Sequence, residues 1–128
     1  MKNLQLVLSV NQMWNFLNVQ NLESLFAESV EFRTDCILLS IKGKENVLSF
    51  LTSNLMSIHD KVRDGECGLY SRVVSIVGNV DEAFIELCYS IEEETQCVLM
   101  RIQETNGLIA SIEFIYQTDD IITTYITL

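Results

Sequence analysis

AFIELCYSIEEETQCVLMRIQETNGLIASIEFIYQ, Ala83 to Gln117, reads as three successive antiparallel strands joined by two tight turns. The strands run over about Ala83–Ile91, Gln96–Glu104 and Leu108–Gln117, and another precedes them at Leu69–Asn79. In Thr105-Asn106-Gly107-Leu108 the Asn-Gly pair favours a two-residue type I′ turn, because both central residues take positive φ at little cost. With Thr105 opposite Leu108, Arg101 falls opposite Ile112, Leu99 opposite Phe114 and Cys97 opposite Tyr116. The other turn uses the acidic run Glu92-Glu93-Glu94-Thr95. With Ser90 opposite Thr95, Cys88 faces Cys97 and Phe84 faces Arg101.

Because side chains alternate along a strand, these pairings sort the sheet into two faces. One carries Ala83, Ile85, Leu87, Tyr89, Val98, Met100, Ile102 and Ile115, and is almost wholly apolar. The other carries Phe84, Glu86, Cys88, Leu99, Arg101, Gln103, Ile112, Phe114 and Tyr116, with polar groups set among aromatics. A sheet apolar on both sides must be covered on both. The chain's own helices suffice for one side, and association covers the other.

Outward from the sheet, Leu4, Leu6, Val7, Leu8, Val10, Met13, Trp14, Phe16 and Leu17 predict a first helix over about Leu4–Asn18. Its start faintly resembles a secretion signal, but the apolar run is short and broken by Gln5 and Ser9, so it is read as mature helix. Asn21 caps a short second helix, and Val30–Asp35 alternates like a strand with Val30, Phe32 and Thr34 on one side. Gly43 precedes a third helix reaching about His59. Helices first and a strand meander afterwards indicate an α+β domain, helices on one face of an antiparallel sheet, spanning 1–128 as a single unit.

Composition narrows the function classes. An apolar share of 48% suits a globular core, and no run approaches the ~20 apolar residues of a membrane span. A formal net charge of −10 argues against nucleic acid and anionic membranes, which are held by clustered Lys and Arg. Cys36, Cys67, Cys88 and Cys97 lack metal-ligand spacing, so reduced thiols in a cytoplasmic protein are expected, with a Cys88–Cys97 disulfide as the alternative. No phosphate loop, dinucleotide fingerprint, nucleophile elbow or zinc spacing occurs, so neither cofactor nor metal is expected.

The chain resembles the nuclear transport factor 2-like superfamily, also called the SnoaL-like or cystatin-like α+β cone. The resemblance rests on the long first helix, on Leu22-Glu23-Ser24-Leu25-Phe26-Ala27-Glu28-Ser29-Val30-Glu31-Phe32, on Gly43-Lys44-Glu45-Asn46-Val47-Leu48-Ser49-Phe50-Leu51, and on the closing hairpin at Asn106-Gly107-Leu108-Ile109. It implies a curved sheet wrapped around helices with a pocket between them, and members that include isomerases, cyclases, dehydratases and non-enzymatic modules. It also implies dimers through the outer sheet surface, here Ile85, Leu87, Met100 and Ile102. The steroid isomerase carboxylate would fall at Thr34, its oxyanion tyrosine near Met13 and its second acid near Leu99 or Arg101, and none of these matches.

Arg101 is a lone cation amid Val, Leu, Met and Ile, costly unless paired, and Glu86 shares its face, so the two read first as a buried ion pair that closes the cone and next as a polar binding site. The expectation is a small, largely apolar ligand in an internal pocket, bound by Arg101 and Glu86 and walled by Trp14, Phe114 and Tyr116. The first alternative is a cofactor-free isomerase, cyclase or dehydratase with Glu86 or a re-aimed Asp35 as general base. The second is a dimerisation or interaction module with a filled cone. His59, the only histidine, sits in a charged helix end and is read as solvated.

Overall fold

In the computed structural model, which describes residues 3–34, 40–116 and 123–125, helix α1 (Leu4–Phe16) opens the chain and leads into a 3-10 turn at Gln20–Leu25. Strands β1 (Phe26–Thr34) and β2 (Ser40–Lys42) follow, then helix α2 (Lys44–Arg63). The long strands β3 (Gly68–Ile76), β4 (Asn79–Ile91), β5 (Glu94–Thr105) and β6 (Leu108–Tyr116) come next, and β7 (Thr123–Tyr125) closes the described chain. The first helix ends earlier than its apolar pattern suggested because Leu17 turns left-handed at φ 53°. A residue there breaks the helical repeat.

Among the described residues the strands form one seven-stranded sheet in the order β2-β1-β6-β5-β4-β3-β7. The meander β3 to β6 is antiparallel, whereas β1 lies parallel to β6, so the sheet is mixed rather than antiparallel throughout. The β4–β5 register is the expected one, with Phe84 opposite Arg101, Cys88 opposite Cys97 and Ser90 opposite Thr95. Asn106 and Gly107 both take positive φ, at 54° and 79°, in the second turn. Beyond that turn the β5–β6 register slips, because Glu104 pairs with Ile109 and Gln103 with Ser111. Ala110 is therefore the extra residue of a bulge, and everything after it changes face. Arg101 stands opposite Glu113 rather than Ile112, and Met100 opposite Phe114.

The bulge and the helices together decide which face is inside. Ala83, Ile85, Leu87, Met100 and Ile102 join Ile112, Val30 and Phe32 in one core with Val7, Val10 and Trp14 of α1 and Val47, Leu51 and Leu55 of α2. The expected outer dimer surface is thus the concave, helix-covered face, and Ile85, Leu87, Met100 and Ile102 are between 0% and 7% exposed. The physical reason is simple: helices take the purely apolar face, and the face holding charges keeps access to water. On that convex side Val74, Phe84 and Leu99 form a second, small core, with Ile76 and Ile115 partly buried against it.

Candidate functional site

The concave face and the helices border a half-open cavity of about 330 Å³, lined by Trp14, Phe32, Thr34, Phe50, Leu51, Asn54, Ile58, Leu69, Leu87, Tyr89 and Phe114. Each wall has a local cause. Alternation along β1 turns Phe32 and Thr34 inward, while Leu51, Asn54 and Ile58 fall on one stripe of α2. Phe32 packs against Phe50 and Phe114 with ring centroids 5.0 and 5.1 Å away. The Trp14 indole sits 6.2 Å from the Phe114 ring and donates its N–H to Met100 Sδ at 3.4 Å.

Among the described residues, polar groups in this cavity are few and none is a formal charge: the described lining holds no carboxylate, lysine, arginine or histidine. Asn54 Nδ2 donates to the Phe50 carbonyl at 3.0 Å, which fixes the amide against its own helix. Thr34 Oγ1 is buried with no hydrogen-bond partner among the described residues. A buried hydroxyl left unmatched is costly and marks a place where a partner fits. Burial first, then a hydrogen bond to Cys67 and the nearby Cys67 and Glu66 charges, hold the Tyr89 phenol above its ordinary range. At neutral pH it is a hydrogen-bond donor. Two larger clefts, of about 570 and 890 Å³, are shallow grooves open to solvent, edged by charged residues such as Glu28, Lys44 and Glu45 in one and Asp81 and Glu82 in the other.

Of the residues singled out from the sequence, Trp14 and Phe114 do line the cavity, brought together by α1 and β6. Arg101 and Glu86 do not. Both project from the convex face, and they do not pair with each other. Arg101 grips Glu82 in a two-pronged bond of 2.7 and 3.1 Å, and that bond is the main reason its pKa is raised. Glu86, buried on the same side, accepts from Arg72 Nε at 3.0 Å. A third pair, Arg33 to Glu113 at 3.4 Å, continues the belt across β1 and β6. The internal placement of Arg101 and Glu86 is corrected on this ground, and so is Glu86 as a base facing the cavity. Asp35 lies outside the described residues, as does the side chain of Tyr116. His59 is exposed at the end of α2, 3.9 Å from Asp60.

Thr34 and Asn54 are additions to the residues the sequence offers as a site, and Tyr89, whose hydroxyl reads from sequence as strand packing, joins them in the lining. The sequence held a signal for each of the first two: Thr34 continues the inward alternation of Val30 and Phe32, and Asn54 interrupts the apolar stripe of α2. Cys88 and Cys97, expected as reduced thiols, are joined by a disulfide on the convex face. Cys67 is free.

No protein-family model matches the chain, and no curated protein does either. Solved structures do. The epoxide hydrolase/cyclase-like enzyme SalBIII, of pyran ring formation in the polyether salinomycin, superposes with a TM-score of 0.63 at 14% identity over 94% of each chain. An NTF2-like protein of unknown function from Mesorhizobium loti gives 0.62 at 14% identity over 91% of each chain. A bacterial protein with a cystatin-like fold from Silicibacter pomeroyi gives 0.59 at 15% identity, over 93% of this chain and 80% of that one. At such identities the likeness speaks for architecture alone. This chain has the nuclear transport factor 2-like, cystatin-like α+β cone fold.

Proposed function

We propose that the protein binds a small, mostly apolar, uncharged molecule inside the cone, one oxygen of which meets Thr34, Asn54 and Tyr89. The observation that carries this reading is the Thr34 hydroxyl, without a hydrogen-bond partner among the described residues, in a mostly aromatic and aliphatic cavity of about 330 Å³. That volume is near the lower edge of the ~300–1,000 Å³ of small-molecule sites. It favours a compact ligand over a filled cone. With no cation among the described lining residues, a carboxylate would lose its hydration without compensation. A carbonyl or hydroxyl oxygen finds its donor in the Thr34 hydroxyl, with the second hydrogen of Asn54 Nδ2 in the same wall.

Trp14 is the only tryptophan and stands in the cavity wall, so its emission reports occupancy directly. The test titrates the protein with mono- and bicyclic ketones and with carboxylates of matched size. Ketones are expected to change Trp14 emission saturably and carboxylates to leave it unchanged. Thr34→Val and Tyr89→Phe should each weaken ketone binding roughly fivefold, the loss of one neutral hydrogen bond. Equal binding of both ligand classes, or ketone affinity untouched by both substitutions, would refute the site.

A further inference from the structure

The convex face carries a second cluster of chemically capable side chains, separate from the cone cavity. Antiparallel pairing of β4 with β5 sets Cys88 against Cys97 with Cα atoms 4.1 Å apart, and the two form a disulfide. Glu86, two positions before Cys88 and so on the same face, places a carboxylate oxygen 3.8 Å from Cys88 Sγ. One ligand atom from each of Glu86, Cys88 and Cys97 lies within 4.8 Å of the other two. Glu86 and Cys88 are buried and Cys97 is half-buried. The cluster is held by a β-ladder rather than by loops.

We propose that, once this disulfide is reduced, Cys88, Cys97 and Glu86 hold a zinc-class divalent cation, so that the convex face is a redox-gated metal site. A dithiol reductant delivers two electrons and two protons to the S–S bond, becomes a disulfide itself, and leaves two thiols facing each other. Metal binding then exchanges the two thiol protons for the cation: two sulfur–metal bonds form and two protons pass to solvent. Two thiolates and one carboxylate are a set that suits Zn²⁺ and not Mg²⁺ or Ca²⁺. A tetrahedral site with bonds of about 2.0–2.3 Å needs ligand atoms roughly 3.3–3.8 Å apart, so the two sulfurs part once the bond between them is reduced while the Glu86 oxygen draws in slightly. Partial exposure at Cys97 leaves a solvent side for water as the fourth ligand.

Arg72 completes the charge balance. Its Nε donates at 3.0 Å to Glu86 Oε1, the same oxygen that lies 3.8 Å from Cys88 Sγ, and so fixes that oxygen beside the sulfurs. Two thiolates and a carboxylate beside one divalent cation leave a single negative charge, and the Arg72 guanidinium cancels it. The covalent bond between the sulfurs excludes the metal, and reduction admits it.

The test uses the full chain and Co²⁺ as the spectroscopic stand-in for zinc. Reduced with a phosphine, the protein is expected to take up a single equivalent of Co²⁺, with thiolate-to-cobalt charge-transfer absorption and intense tetrahedral d–d bands that added Zn²⁺ abolishes. The disulfide form should show neither. Cys97→Ser should remove the charge-transfer band, Cys67→Ser should leave it, and Glu86→Gln should keep it while weakening binding at least about tenfold. A reduced chain without the band overturns the proposal. So does a band that survives Cys97→Ser or appears equally with the disulfide intact. The oxidised and reduced forms differ by no substitution, so their comparison decides the matter even where a variant does not fold.

Discussion

Asn3 ties the first helix to the middle of the sheet. Its Nδ2 donates to the carbonyls of Ala83 and Ile102 at 3.2 and 3.0 Å, while its Oδ1 accepts from the Ala83 amide at 3.2 Å. All of this is buried, where an unmatched backbone group is expensive. Asn3→Ala should therefore cost about 1–3 kcal/mol, read as a lower urea midpoint with an unchanged m-value. An unchanged midpoint would mean that water replaces the clamp. Nothing in the sequence flags Asn3, since one asparagine before an apolar run looks like any other. The same holds for Ser71, whose one hydroxyl proton is shared between the Asn11 carbonyl at 3.2 Å and Asn15 Oδ1 at 3.0 Å, tying α1 to β3. Long-range polar clamps leave no periodic trace. Thr34 and Asn54 differ, because each sits on an inward-facing period, and their meaning was legible once the inside of the sheet was known.

At the scale of elements, the two hairpins show what local sequence dictates and where it stops. Asn106-Gly107 announces its turn, and the turn forms. The other hairpin closes with Ile91 opposite Glu94, and Glu92 is forced to φ 58°, a left-handed value that a residue with a Cβ adopts at a cost. Glycine suits the first central position of such a turn. Glu92→Gly should therefore stabilise the protein by about 0.5–1 kcal/mol, seen as a higher thermal midpoint, helped by thinning the acidic run. A lower midpoint would show that Glu92 contributes through its side chain. The bulge at Ala110 is the contrary case. No residue type marks it, so a register counted from the turn carried Ile112 and Phe114 to the wrong face. The parallel pairing of β1 with β6 was equally silent, since it joins segments about eighty positions apart through tertiary packing alone.

At the scale of the whole molecule, the question that local reading left open is which side of a doubly apolar sheet meets the helices, and a pair of substitutions answers it. Leu87 is 7% exposed and lines the cavity beneath α2, whereas the Arg101 side chain is 39% exposed on the convex face. Leu87→Lys would set an ammonium group into a cavity wall with no carboxylate among its described lining residues. The expected cost is about 3–5 kcal/mol, that of an uncompensated buried charge, and the outcome is loss of cooperative unfolding at ordinary temperature. Arg101→Met removes only a half-exposed partner of Glu82, so it should cost about 1 kcal/mol or less and leave the Trp14 response to ketones intact. A calorimetric scan of each variant and one fluorescence titration of Arg101→Met suffice. If Leu87→Lys melted like the parent chain while Arg101→Met abolished ketone binding, the charged face would be the inner one. The opposite result follows from the arrangement described: an apolar face buys stability against the helices, and charges paired on the far side keep that side out of the core.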